Sequence, residues 1–300
     1  MRLGRYTMDV SNADKLFFPE VRLTKGDLVE YYRQIAPTML LHTRGRPVTM
    51  ERHPDGVKDK GFYQKELPEY FPSWVGNVTV AVKDDGRQKQ VACEKAADLV
   101  YIAEQGCITP HVWLSRKNDL DKPDRMILDL DPPDHGFAAV RKAARRVRDL
   151  LAELGLVPFV MLTGGRGVHV VCPLTRRDDF DTVREFAQGV AGLLAERHPK
   201  ELTTEQRKNK RRGRVFLDTG RNAYGQTAVA PYAVRARPKA SIAAPLDWDE
   251  LSSPSLRADR YTVKNIFKRL KNGGDPWGAI VRSSRSLARP RERLRKMQSA

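Results

Sequence analysis

The six residues Leu128-Asp129-Leu130-Asp131-Pro132-Pro133 constrain this chain more than any other stretch. They close an apolar run from Arg125 to Asp131 that reads as a strand, and a proline pair that cannot donate to a ladder ends it. Strand side chains alternate between faces. Met126, Leu128 and Leu130 therefore enter a core, while Asp129 and Asp131 project together from the other side. Two carboxylates that close repel and raise one proton affinity unless a cation stands between them, and Mg²⁺ or Mn²⁺ with oxygen ligands meets that need. The competing reading is a pair of turn or capping aspartates ahead of the next helix.

Beyond this strand, helices and strands come in a regular order. Val140, Val147, Leu150, Leu151 and Leu154 stand at helical spacing across residues 138–154. Residues 158–162 and 168–172 read as strands joined by the tight turn Gly164-Gly165-Arg166-Gly167, which makes them a hairpin. A second amphipathic helix over 181–196 carries Val183, Phe186, Val190 and Leu194 on one side. Six of the eight residues 207–214 are basic, and the short strand Val215 to Asp218 comes directly after them. Nearer the start, Thr24-Lys25-Gly26-Asp27 opens a helix bearing Leu28, Tyr31, Tyr32 and Ile35. A strand over 78–82 leads to a turn with Asp85-Gly86 at its tip, and 96–105 and 262–271 read as further helices. Strands interleaved with helices, with antiparallel hairpins among them, predict an α+β fold with mixed and antiparallel sheets. Residues 1–285 are expected to form one catalytic domain with two lobes, and 286–300 a basic C-terminal tail.

The formal charge of +17 comes from Lys and Arg spread along the chain, which points to a polyanionic partner, nucleic acid first; a merely solvated charged face is the alternative. Cys93, Cys107 and Cys172 are scattered, without the paired spacing that holds zinc, so free thiols in a reducing cytoplasm are expected. The longest near-apolar run, residues 154–162, is broken by Gly155 and Pro158 and is too short to span a bilayer. No membrane partner is expected.

Asp218 gives a third strand-end carboxylate, and its catalytic reading depends on the first pair. Three such acids hold two ions in in-line phosphoryl transfer. In Thr163-Gly164-Gly165-Arg166-Gly167-Val168-His169, the glycines let backbone N–H groups approach a phosphate, Arg166 pairs with its oxygens, and Thr163 and His169 donate hydrogen bonds. His111, beside Trp113, reads either as packing or as a contact to sugar or primer end. Asn12, Lys15 and Lys25, with Phe62 and Tyr63 beyond, combine phosphate-binding cations with rings on which bases stack; surface lysines and core aromatics are the plainer reading.

Taken in order, DVSNADKLFFPE, GRPVTMERHPDG, GFYQKELPEYFPSWV, HVWLSR, DLDPP, TGGRGVH, RVFLDTGRNAYGQTAVAPYAVRARP and PLDWDEL resemble one family, the polymerase domain of bacterial DNA ligase D, a branch of the archaeo-eukaryotic primase superfamily. The resemblance implies a primase-polymerase fold with an RRM-like catalytic core. It implies two Mn²⁺ or Mg²⁺ ions on Asp129, Asp131 and Asp218, and nucleotide contacts from Asn12, Arg52, Thr163, Arg166, His169 and Arg235. Lys15 and Lys25 match lysines that grip the 5′-phosphate of a downstream strand, Phe62 and Tyr63 match stacking aromatics, and His111 matches a histidine near the primer terminus. The resemblance also implies gap filling and end extension in DNA break repair, commonly with ribonucleotides, by a monomer that works on gapped or broken duplex and nucleoside triphosphates alongside a DNA ligase and an end-binding protein. No ligase or phosphoesterase module fits within the 300 residues, so the chain looks like a stand-alone member. It departs from the family pattern in its triphosphate turn, where Thr163 and Arg166 replace the frequent Ser and Lys; the hydroxyl and the cation are kept, but Arg forks where Lys is a point charge. The rival expectation is a catalytically silent module that binds DNA ends and recruits partners.

Overall fold

The computed structural model describes residues 1–82, 86–132 and 136–299, so the turn tip expected at Asp85 and the second proline of the Pro132-Pro133 pair lie outside the described residues. The chain divides into two compact units. The first comprises residues 1–120, 227–243 and 261–268; the second comprises 121–226, 244–260 and 269–300.

In the first unit, Thr227–Val229, Cys107–Trp113, Pro47–Arg52, Arg87–Ala92 and Asn77–Ala81 lie side by side in that order, and Phe62–Gln64 also pairs with Pro47–Arg52. Every pairing is antiparallel. The helix Lys25–Thr43 begins at a reciprocal cap, in which the Asp27 backbone N–H donates to the Thr24 hydroxyl and the Thr24 N–H to the Asp27 carboxylate. Its apolar stripe of Leu28, Tyr31, Tyr32, Ile35 and Met39 is buried, and the two ring hydroxyls are satisfied by the Tyr232 and Ile108 carbonyls.

The second unit has the order β-α-β-β-α-β. Strand Arg125–Asp131 is followed by helix Phe137–Glu153, the hairpin Phe159–Leu162 and Val168–Pro173, helix Phe180–Arg197 and strand Val215–Asp218. In the sheet the fourth of these strands lies beside the first, then come the third and the second, all antiparallel. Leu202–Thr203 extends one edge in parallel and Pro245–Leu246 the other in antiparallel. This split βαβ arrangement is the RRM-like core that the motifs implied, and it puts both helices on one face. Met126, Leu128 and Leu130 are fully buried on that face.

One glycine is required by close approach. A Cβ on Gly167 would stand 2.1 Å from the Leu130 carbonyl oxygen, so only glycine lets the turn of the hairpin close against the acid-bearing strand. Residues 286–300, expected as a tail, are largely ordered as the helix Ala288–Gln298. It docks through buried Pro290 and Leu294, with Leu294 seated over Gly189 of the second helix. Among the described residues no helix is long and apolar enough to cross a membrane, and the three cysteines are buried free thiols.

Candidate active site

Strand register builds the centre of the second unit. Asp129 is paired across the sheet with Asp218 on one side and with His169 on the other, and Asp131 is two residues further along the same face. Directly opposed residues in an antiparallel pair have Cβ atoms about 5 Å apart. All three carboxylates thus meet at adjoining strand ends although they come from distant segments of the chain, and the alternation that put Leu128 and Leu130 into the core aims them at the open face.

The electrostatics of the acids differ. The His169 Nε2 lies 3.4 Å from Asp129 Oδ2 and the Arg221 Nε 3.5 Å from the same oxygen. Burial works to raise the Asp129 carboxyl, but His169 and Arg221 outweigh it and hold the group below the ordinary aspartate value. Asp131 goes the other way. Burial raises it, the Asp129 and Asp218 carboxylates add to the rise, and Arg211 and Arg166 offset only part. The Arg211 guanidinium lies 4.0 Å from the centre of the Phe216 ring and 3.9 Å from Asp131 Oδ2, so stacking presents it to the acid. Asp218 accepts the Gly220 N–H at 2.7 Å. Among the described residues no three carboxylate, imidazole or thiol groups already enclose a cation position. The donor set nonetheless suits a hard divalent ion: clustered carboxylates, one of them raised by burial and by its neighbours' charge, are what such an ion relieves.

Beside this cluster, Thr163 shapes the glycine turn. Its N–H and hydroxyl both donate to the Gly167 carbonyl at 3.1 Å, and its oxygen accepts the Gly165 N–H at 3.3 Å. Arg166 is exposed at the tip. A cavity of about 540 Å³ opens next to the turn, lined among others by Gly165, Arg166, Arg141, Arg257 and the start of helix Phe137–Glu153. His169 is 3% exposed, and its Nδ1 is a buried atom with no hydrogen-bond partner among the described residues.

The remaining predicted residues fall in the first unit. Asn12, Lys15 and Lys25 are drawn together where the Lys15 N–H donates to the Asn12 carbonyl and the Lys25 N–H to the Lys15 carbonyl. Their side chains have different surroundings. Lys15 is exposed and paired with Asp55, whereas Lys25 is 7% exposed and its ammonium donates to Glu104 at 2.9 Å and Ser11 at 3.0 Å. Arg52 donates to Gln105, Gln64 and Tyr70 and stacks on Phe62. Phe62 and Tyr63 are exposed rings, and Tyr63 stands edge-on to His111 at 5.7 Å. The His111 Nε2 meets Glu51 at 3.1 Å. Burial opposes ionisation of Glu51, but His111 and Arg235 bring its carboxyl below the ordinary glutamate value.

Four residues with evident parts in these clusters were not singled out from the sequence: Glu51, Arg211, Arg221 and Asn222. Asn222 is fully buried and acts as a strand neighbour in miniature, accepting the Ile127 N–H at 2.9 Å and donating to the Ile127 carbonyl at 2.7 Å. It thereby locks the loop after Asp218 to the strand of Asp129. Only the basic run around Arg211 carried any sequence signal.

A split βαββαβ sheet with acids on its first and fourth strands and a glycine turn on the hairpin defines a nucleotidyltransferase of the primase-polymerase class. The sequence model of the LigD primase-polymerase domain matches residues 24–277, and the chain belongs to that family. It is 34% identical over 275 residues to the multifunctional non-homologous end joining DNA repair protein LigD of Mycobacterium tuberculosis, a match covering 89% of this chain and 36% of that protein. To the bifunctional non-homologous end joining protein LigD of Bacillus subtilis it is 28% identical, over 92% of this chain and 44% of the other. The chain therefore spans less than half the length of these relatives. Among solved structures, the polymerase domain from Mycobacterium tuberculosis ligase D in complex with DNA superimposes with a TM-score of 0.87 at 32% identity, covering 93% of this chain and 99% of that one.

Proposed function

We propose that this nucleotidyltransferase extends a primer strand at gaps and broken ends of duplex DNA, copying a template and favouring ribonucleotides. Asp129, Asp131 and Asp218 hold two divalent ions, Mn²⁺ or Mg²⁺. When bound, the ions supply a lowered proton affinity at the attacking 3′ hydroxyl and charge neutralisation on the triphosphate and leaving pyrophosphate. Thr163 and Arg166 bind the triphosphate, His169 hydrogen-bonds it while steadying Asp129, and Asn12, Arg52 and Arg235 complete the nucleotide contacts. On the DNA, Lys15 and Lys25 serve the 5′-phosphate of the downstream strand, Phe62 and Tyr63 take stacked bases, and His111 attends the primer end. A single catalytic domain with two lobes, monomeric and cytoplasmic, does this alongside a DNA ligase and an end-binding protein.

The observation that carries the reading is the register that sets Asp129 between Asp218 and His169. A silent end-binding module needs no such cluster of acids beside a polyanion, since each one weakens phosphate binding. The test is extension of a gapped duplex with Mn²⁺ and each triphosphate. Addition opposite the template supports the enzyme, and binding of the duplex without any addition rejects it.

A further inference from the structure

The C-terminal helix has a charge pattern that the fold alone does not account for. Residues 282–296 hold seven Arg or Lys and a single acid, Glu292, and the last 23 residues lie beyond the stretch matched by the family, 24–277. Several features of the helix Ala288–Gln298 oppose its own stability. Arg289 sits in the first turn, where the helix dipole disfavours a cation. Arg289 with Arg293, and Arg291 with Arg295, are like-charge pairs four residues apart that repel each other. Two arginines have internal roles: Arg291 lies close enough to Asp179 to lower its carboxyl, after the Thr182 cap that dominates there, and one nitrogen of Arg293 donates to the Glu153 carbonyl at a helix end. Arg285, Arg289 and Lys296 are exposed.

Helical spacing puts Arg289, Arg293 and Lys296 in one row beside the buried side of Pro290 and Leu294, and Arg285 precedes the helix in the chain. The chain before the helix is held in place, since Arg285 exchanges backbone hydrogen bonds with Pro173 and Thr175 at the end of the hairpin strand. A row of cations at steps of about 6 Å, set on a docked helix, presents charge on the scale of neighbouring phosphates. The helix packs on Phe180–Arg197, so the sheet and one helical layer, about 10 Å thick, separate it from the carboxylates of the same unit.

We propose that this helix is a second DNA-binding surface, which grips the phosphate backbone of duplex DNA through Arg285, Arg289, Arg293 and Lys296 at a place apart from the strand ends undergoing reaction. The contact is electrostatic and independent of sequence. It adds affinity and residence on duplex without touching the chemical step.

The test is a salt titration of binding to a blunt, ungapped duplex by the wild type and by the triple variant R285Q/R289Q/K296Q, with Arg293 left to cap helix Phe137–Glu153. Each phosphate contact contributes about 0.9 to the slope of log affinity against log salt, so the variant is expected to lose about 2–3 from that slope and tenfold or more in affinity near 0.1 M salt. Its melting temperature should hold or rise, and extension of saturating gapped DNA should match the wild type. The charge-keeping variant R285K/R289K/K296R should retain the wild-type slope. An unchanged slope in the glutamine variant, or its loss in the charge-keeping one, overturns the proposal. Normal gapped-DNA extension with an unchanged slope would sink the helix surface and leave the polymerase reading standing.

Discussion

The two units hold opposite charges ready in the same way. In the second, the residues expected to hold metal are acids, and the fold has already set basic groups against them: His169 and Arg221 on Asp129, Arg211 on Asp131. In the first, several are basic, and the fold has set carboxylates against them: Asp55 on Lys15, Glu104 on Lys25, Glu51 on His111. Each cluster is thus balanced internally, and a ligand must displace or join a partner. The cost of doing so depends on burial. Lys15 sits in solvent and exchanges Asp55 for a phosphate with little loss, while Lys25 and Glu104 are both nearly buried, and separating them strands a charge. On the proposed reading, Lys15 contacts the phosphate directly and Lys25 serves it by fixing the segment that carries Lys15, through its N–H to the Lys15 carbonyl.

Replacing Asp129 breaks the comparison most severely. If Asp129 holds a metal ion as proposed, it acts on charge that develops in the transition state, and Asp129→Ala should lower extension by about a thousandfold or more, with DNA affinity within about twofold of wild type. Near-normal synthesis would remove Asp129 from the chemistry.

The next effect is on stability. Burial raises the Glu104 carboxyl, yet Lys25 and Ser11 outweigh it and hold the group below the ordinary glutamate value. A depressed carboxyl contributes stability that is present above the unfolded value near 4.3 and is lost as pH falls through the native one. Glu104→Gln should cost about 3 kcal/mol at neutral pH and flatten that acid limb, as read by denaturant melts across pH. An unchanged melting curve would make Lys25 free for phosphate after all.

The smallest effect sharpens the division between the lysines. Lys15→Ala should reduce the preference for a 5′-phosphorylated over a hydroxyl gap by about fivefold, in line with one solvent-exposed charged hydrogen bond, while leaving stability alone. Equal preference in variant and wild type would place the phosphate elsewhere.

The second unit was more legible than the first for a physical reason. In Arg125–Asp131 and Val215–Asp218, acids alternate with or terminate apolar runs, so period and boundary agree, and the observed strands have those same limits. The strand Cys107–Trp113 was passed over. Pro110 interrupts it, and a proline argues against a central strand, yet this one lies between Pro47–Arg52 and Thr227–Val229. Glu51 and Arg221 could not be assigned from spacing, since their roles arise only when register brings a distant strand or loop alongside. The helix Ala288–Gln298 escaped notice because only Leu287, Pro290 and Leu294 mark its buried side, among arginines that read as a tail.

The central claim is that acids on adjoining strands hold the ions used for nucleotide transfer. Titration of Mn²⁺ into the protein with a nucleoside triphosphate, monitored by the loss of the free-ion paramagnetic signal, tests it directly. The account predicts saturable uptake by the wild type and loss of at least one site in Asp131→Asn. Equal uptake by both proteins, or none by the wild type, would contradict it.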